Sequence, residues 1–145
     1  MRSSAAREPN ARSDLPLVLL AEDDEELRKL LARKLRRRGC DVLEARNGAQ
    51  LVELVFERAV DPLPDSVIPA ALIITDHRMP GRTGLEVLSL LRSVNWATPL
   101  IVISAFADQE THAEARRLGV AALFDKPFDL DELTAFACQT VGLDA

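Results

Sequence analysis

The chain has 145 residues, 48% hydrophobic and 28% charged, with a formal net charge of −5. This is the make-up of an ordinary globular domain, not of a disordered or membrane-embedded chain. Its apolar runs fall far short of a bilayer span, and Met1-Arg2-Ser3-Ser4-Ala5-Ala6-Arg7-Glu8-Pro9-Asn10 holds no apolar signal region, so a cytoplasmic protein without a membrane partner is expected.

Residues 1–14 mix Arg, Ser, Asn and Pro and read as a flexible tail, which leaves one domain over residues 15–145. Leu17 to Ala21 is an apolar run of buried-strand length. A helix is expected from about Asp24 to Arg38, with Leu27, Leu30, Leu31 and Leu35 as its core stripe and Gly39 as its stop. Arg28, Lys29, Arg33, Lys34, Arg36, Arg37 and Arg38 crowd that helix with no acid among them; they read either as a solvated face or as a docking face for an acidic partner protein. Asp41 to Ala45 alternates polar and apolar, as an outer strand does. Asn47 and Gln50 stand at capping-box spacing and open a second helix with Leu51, Leu54 and Val55 inward.

Three prolines between Asp61 and Pro69 make that stretch a loop, longer than α/β connections usually are. Ala70 to Thr75 is the third strand, and Thr83 with Glu86 is a capping box for a helix through Ser93. Leu100 to Ser104 is the fourth strand, Asp108 a cap for a polar helix to Leu118, and Val120 to Phe124 the fifth strand. Asp129 and Glu132 open a last helix that ends near Val141-Gly142. Strands alternating with helices predict an α/β fold, a parallel sheet covered on both faces with right-handed crossovers. Cys40 and Cys138 are too few for a disulfide framework and read as reduced structural thiols.

In an open α/β sheet the functional crevice lies at the carboxyl ends of the strands. Here those ends carry Glu22-Asp23, Asp76, Ser104 and Lys126. Three carboxylates gathered at one edge repel unless a cation sits among them. Oxygen donors without His or Cys favour Mg²⁺, with Mn²⁺ second, and Mg²⁺ shares its positions readily with phosphate. Asp76 at the end of an apolar strand can act as a nucleophile toward phosphorus, while Lys126 and Ser104 neutralise and hold phosphoryl oxygens. Taken singly, the acids also read as helix caps, Ser104 as a cap hydroxyl and Lys126 as a surface lysine.

Glu22-Asp23, Asp76 with Met79-Pro80-Gly81, Ser104-Ala105 and Lys126-Pro127-Phe128 together resemble the receiver domain of two-component response regulators, over about Leu17 to Val141. The resemblance implies a flavodoxin-like (βα)5 doubly wound sheet of strand order 2-1-3-4-5. It implies Asp76 as phosphoacceptor from a histidine on a sensor histidine kinase or histidine phosphotransfer protein. Asp23, Asp76 and the backbone carbonyl of Arg78 resemble direct Mg²⁺ ligands, and Glu22 an acid acting through metal-bound water. Ser104 resembles the switch hydroxyl, and Lys126, after which a cis proline bond is implied, the phosphate-pairing lysine.

Leu123 stands where the family usually has Tyr or Phe, which puts its aromatic switch in question. Arg78 and Phe106 are large residues flanking the path of an attacking water, so a long-lived phosphoryl group is expected. His77 reads as a loop residue and His112 as a surface position. The leading expectation is a stand-alone receiver acting by contact with a downstream protein target, not itself a turnover enzyme. A phosphorylation-dependent homodimer is compatible with it. Nucleic acid is not expected as a partner, given the negative charge and the lack of a basic module after the fifth helix. The alternatives are a Mg²⁺-dependent phosphohydrolase with an aspartyl nucleophile, weakened by Arg78 where a second Asp is usual, and a receiver fragment of a larger regulator or hybrid histidine kinase.

Overall fold

The structure, a computed structural model, describes residues 15–59, 70–78, 83–93, 97–105 and 109–143. Strands and helices alternate in chain order: β1 (Leu17–Ala21), α1 (Glu25–Arg37), β2 (Asp41–Ala45), α2 (Gly48–Ala59), β3 (Ala70–Asp76), α3 (Gly84–Ser93), β4 (Leu100–Ser104), α4 (Gln109–Leu118), β5 (Ala122–Asp125) and α5 (Leu130–Thr140). The strands form one parallel sheet in the order β2-β1-β3-β4-β5. This is the expected doubly wound α/β fold.

The strand pleat divides the core in two. Leu17, Leu19, Ile73, Leu100 and Val102 face a layer made by Leu51 and Val55 of α2, Leu85, Leu88 and Leu91 of α3, and Ala115 of α4. Val18, Leu20, Leu72, Ile74, Ile101 and Ile103 face Leu31, Ala32 and Leu35 of α1 and Leu133 and Ala137 of α5. Alternate residues of a strand point to opposite faces, so a sheet buried on both sides must be apolar at nearly every position. β1 and β4 are buried along their whole length for that reason.

Local chemistry starts the helices where expected. Asp24 caps α1 by accepting from Leu27 N, and Asp129 caps α5 by accepting from Asp131 N and Glu132 N. Thr83 and Glu86 make both bonds of their capping box, at 3.1 and 2.9 Å. The Asn47–Gln50 pair differs. Asn47 accepts from Gln50 N at 2.8 Å, but Gln50 Oε1 accepts from Arg46 N at 2.7 Å, one residue before the cap. Gly39 ends α1 with φ +108°, a conformation a side chain would strain.

Two expectations need correction. β5 runs Ala122–Asp125 rather than Val120 to Phe124, because Val120 N still bonds to Ala115 O at the end of α4. Arg28 is not part of a solvated basic face. It is 6% exposed, with Nε on Glu44 Oε1 at 3.0 Å and NH1 on Glu22 O at 3.1 Å. The Pro-rich stretch from Asp61 to Pro69, Met79-Pro80-Gly81, Phe106 and Asp108 lie outside the described residues. Cys40 and Cys138 are buried free thiols; burial first, and Cys138 next to it, push Cys40 up to about 12. Among the described residues no helix is long and apolar enough to cross a membrane.

Candidate functional site

Backbone hydrogen bonds pin the residues that follow the strands. Glu22 N donates to Ala45 O at 3.1 Å, His77 N to Ile103 O at 2.7 Å and Lys126 N to Ser104 O at 2.7 Å. Each bond carries the sheet ladder one step past its strand. The side chains of Glu22, Asp76, Ser104 and Lys126 are therefore presented from a rigid edge and not from free loops.

Glu22, Asp23 and Asp76 each bring a carboxylate oxygen within 4.8 Å of the others. Glu22 is fully buried, Asp76 is 4% exposed, and Asp23 is open to solvent. Lys126 reaches into the group, with Nζ 3.4 Å from Glu22 Oε1 and 3.5 Å from Asp76 Oδ2. Glu22 Oε2 accepts from Asp24 N at 3.0 Å, which fixes the carboxylate plane. The Lys126–Pro127 peptide bond is cis, as the resemblance implied.

Electrostatics follow from that packing. Burial raises Glu22 from 4.5 to about 7, and neighbouring Asp76 pushes the same way; the Asp24 N–H and Lys126 oppose it. For Lys126 burial works against the charge, but Asp76 and then Glu22 outweigh it and raise its pKa above 10.5. Lys126 is thus a firm cation facing two acids, one of which holds a proton near neutral pH.

Glu22 Oε1, Asp76 Oδ1 and Ser104 Oγ are buried and make no hydrogen bond. Buried polar atoms are ordinarily satisfied, and orphans point to a missing partner such as an ion. Three carboxylates at ligand spacing, with Asp76 Oδ1 left without a partner, Glu22 Oε1 facing only Lys126 Nζ and no His or Cys among them, fit a hard divalent cation. The cluster can hold a metal, and the orphaned Ser104 hydroxyl stands ready to donate to an incoming oxygen.

The remaining sequence candidates fall around this centre. Arg78, two residues beyond the β3 end, is exposed. His77 is half-buried and held by its own main-chain bond. His112 lies on α4, as expected, with Nε2 3.4 Å from Asp125 Oδ2. Leu123 pairs with Val102 and packs half-buried against the layer of α2, α3 and α4, while Phe124 faces the other way, edge-on to Phe128 and Phe136. The position usually aromatic in the family is thus an aliphatic residue at the margin of the core.

Sequence reasoning missed Gly84, the first residue of α3. A Cβ there would lie 2.9 Å from Thr75 Cγ2 and 3.3 Å from Asp76 O, so only glycine lets α3 come this close to the end of β3. It also missed Arg28, which ties the Glu22 carbonyl to Glu44. A glycine inside a capping box and an arginine on an otherwise apolar stripe were the available signals.

Comparison with known proteins agrees with the geometry. The family model "Response regulator receiver domain" matches residues 18–137. Regulatory protein AtoC of Escherichia coli is 31% identical over 128 residues, 88% of this chain but 26% of that protein. Sporulation initiation phosphotransferase F of Bacillus subtilis is 27% identical over 116 residues, 80% of this chain and 86% of that one. The chain thus spans about a quarter of the first relative and most of the second. Among solved structures, a response regulator receiver protein from Pseudomonas putida superposes with a TM-score of 0.73 at 30% identity, covering 86% of this chain and 97% of that one. These relatives do not favour the phosphohydrolase alternative. With the family match running from β1 into α5, this chain belongs to the response regulator receiver domain family of two-component systems.

Proposed function

We propose that Asp76 is the phosphoacceptor of this receiver domain. The observation that carries the reading is the pairing of Lys126 Nζ with Asp76 Oδ2 at 3.5 Å, while the other Asp76 oxygen, Oδ1, is buried without a hydrogen bond. The carboxylate is oriented through one oxygen and keeps lone pairs on the other.

Receiver domains interact with histidine kinases, and the donor proposed here is the phosphohistidine of a sensor kinase or a histidine phosphotransfer protein. An Asp76 oxygen attacks phosphorus, a P–O bond forms, and the P–N bond to imidazole breaks. The imidazole nitrogen leaves with the electron pair and takes up a proton. Lys126 holds one phosphoryl oxygen by its charge, and Ser104 Oγ, buried and unpaired, donates to another. Asp23, Asp76 and the Arg78 carbonyl would hold Mg²⁺, with Glu22 supporting it through water. Bound there, the metal neutralises charge on the phosphoryl oxygens. Phosphorylation then shifts the population of conformations and with it contacts to a downstream protein.

Intact-protein mass spectrometry after incubation with acetyl phosphate tests this. The expected result is one phosphoryl group gained with Mg²⁺, none without it, and none in Asp76→Ala. Steady donor hydrolysis with no adduct would instead support the phosphohydrolase reading.

A further inference from the structure

One face of α1 lies against β2, the edge strand at the opposite end of the sheet from β5. There Lys29, Arg33, Arg36 and Arg37 recur at helical spacing and, with Glu44 of β2, line a cleft of about 430 Å³. Four cations meet one carboxylate, and that carboxylate is already engaged. Glu44 is held by Arg28 at 3.0 Å and by Arg36 at 3.3 Å. Lys29 pairs with Glu25 at 3.7 Å, with both side chains more than half exposed, a contact of little strength in water. Arg33 and Arg37 make no ion pair among the described residues.

Basic side chains in the last turn of a helix are favoured by the helix dipole, which alone could account for a solvated basic end. It does not account for a concave arrangement whose only acid is shared by two guanidinium groups. Arg36 is tied to β2 through Glu44 and the Val42 carbonyl at 3.0 Å, but nothing of that kind explains Arg33 and Arg37 beside it in a chain of net charge −5. The planar guanidinium fork matches phosphate geometry with paired hydrogen bonds. Arg33 and Arg37 stand one helical turn apart, about 6 Å, a spacing suited to linked phosphoryl groups. The volume falls within the range of small-ligand sites. A long acidic peptide would need a strip of charge running beyond the cleft, and the neighbouring Arg28 is turned inward onto Glu22 O and is not available to it.

We propose that this cleft binds a di- or triphosphate group, either as a free inorganic anion or as part of a nucleotide. The site is separate from the Asp76 centre and does not rest on that residue's role. Isothermal titration calorimetry of the whole chain, in metal-free buffer of low ionic strength, tests it with three titrants: inorganic triphosphate, a nucleoside triphosphate and an oligoglutamate peptide.

Saturable 1:1 binding of triphosphate is expected, weakening as salt rises. It should persist in Asp76→Ala, fall at least tenfold in Arg33→Ala/Arg37→Ala and fall several-fold in Arg33→Lys/Arg37→Lys, which keeps charge but not the fork. Tighter binding of the nucleotide than of triphosphate assigns the nucleotide as source; equal binding assigns the phosphate chain. Arg33 and Arg37 are exposed positions, and circular dichroism checks the fold of every variant, the buried Asp76→Ala included. Absence of saturable triphosphate binding overturns the proposal, as does binding unchanged in the double alanine variant. Tighter binding of oligoglutamate overturns it too, in favour of a surface for an acidic protein segment.

Discussion

Glu22 is the residue on which the behaviour of the acidic cluster turns. In the folded protein it holds its proton up to about 7, against 4.5 for an unburied glutamate. Between those values the unfolded chain binds fewer protons than the folded one, so the metal-free protein loses stability as pH rises through this window and does not regain it above. The loss should be on the order of 1–3 kcal/mol and should vanish in Glu22→Gln, read as Tm against pH without metal. A divalent cation held beside Glu22 favours its ionised form, so Mg²⁺ should bind more tightly as pH rises toward about 7 and level off beyond it. Flat Mg²⁺ affinity across that range would show that Glu22 is already ionised in the metal-free protein. Arg78 supplies a second residue-scale prediction. If it and Phe106 shield the phosphoryl group from water, Arg78→Ala/Phe106→Ala should dephosphorylate several-fold faster than the parent once both are loaded. Equal decay rates, followed by loss of the mass adduct, would remove the shielding role.

At the scale of elements, the junction of β3 with α3 connects folding to chemistry. Gly84 N donates to His77 O at 3.1 Å, and Gly84 itself leaves no room for a Cβ beside Thr75 and the Asp76 carbonyl. Gly84→Ala should therefore cost about 1–3 kcal/mol in denaturant unfolding, because backbone and a β-branched side chain must shift. It should also slow acetyl phosphate labelling of Asp76, since the strand end moves with them. An unchanged midpoint and an unchanged labelling rate would mean that α3 retreats freely from the strand. Element placement was largely legible in the sequence. β1 and β4 occupy the expected runs because a strand buried on both faces leaves an uninterrupted apolar signature, and β2, at the sheet edge, because its residues alternate polar and apolar. The start of β5 was not legible, because Val120 is as apolar as the strand it precedes yet belongs by its hydrogen bond to the turn after α4.

For the whole molecule, the parallel sheet turns four separate stretches of sequence into one edge. The gathering of Glu22, Asp76, Ser104 and Lys126 was foreseeable because each ends an apolar run and strand ends share a side in a parallel sheet. What the sequence hid is burial of charge. Arg28 reads as one of a run of cations on a helix face and Glu22 as one of three acids at a strand end, and neither pattern shows that the fold closes over them; the Arg28–Glu44 bond joins residues 16 apart that no local pattern relates. If this edge is the phosphoacceptor site proposed above, the phosphoryl group is taken up by Asp76 alone. The most direct measurement is to phosphorylate the protein with acetyl phosphate and Mg²⁺, reduce the acyl phosphate with borohydride, and map the product by peptide mass spectrometry. Homoserine is expected at position 76 and at no other acid. Reduction at Glu22, Asp23 or another carboxylate, with Asp76 unmodified, would contradict it.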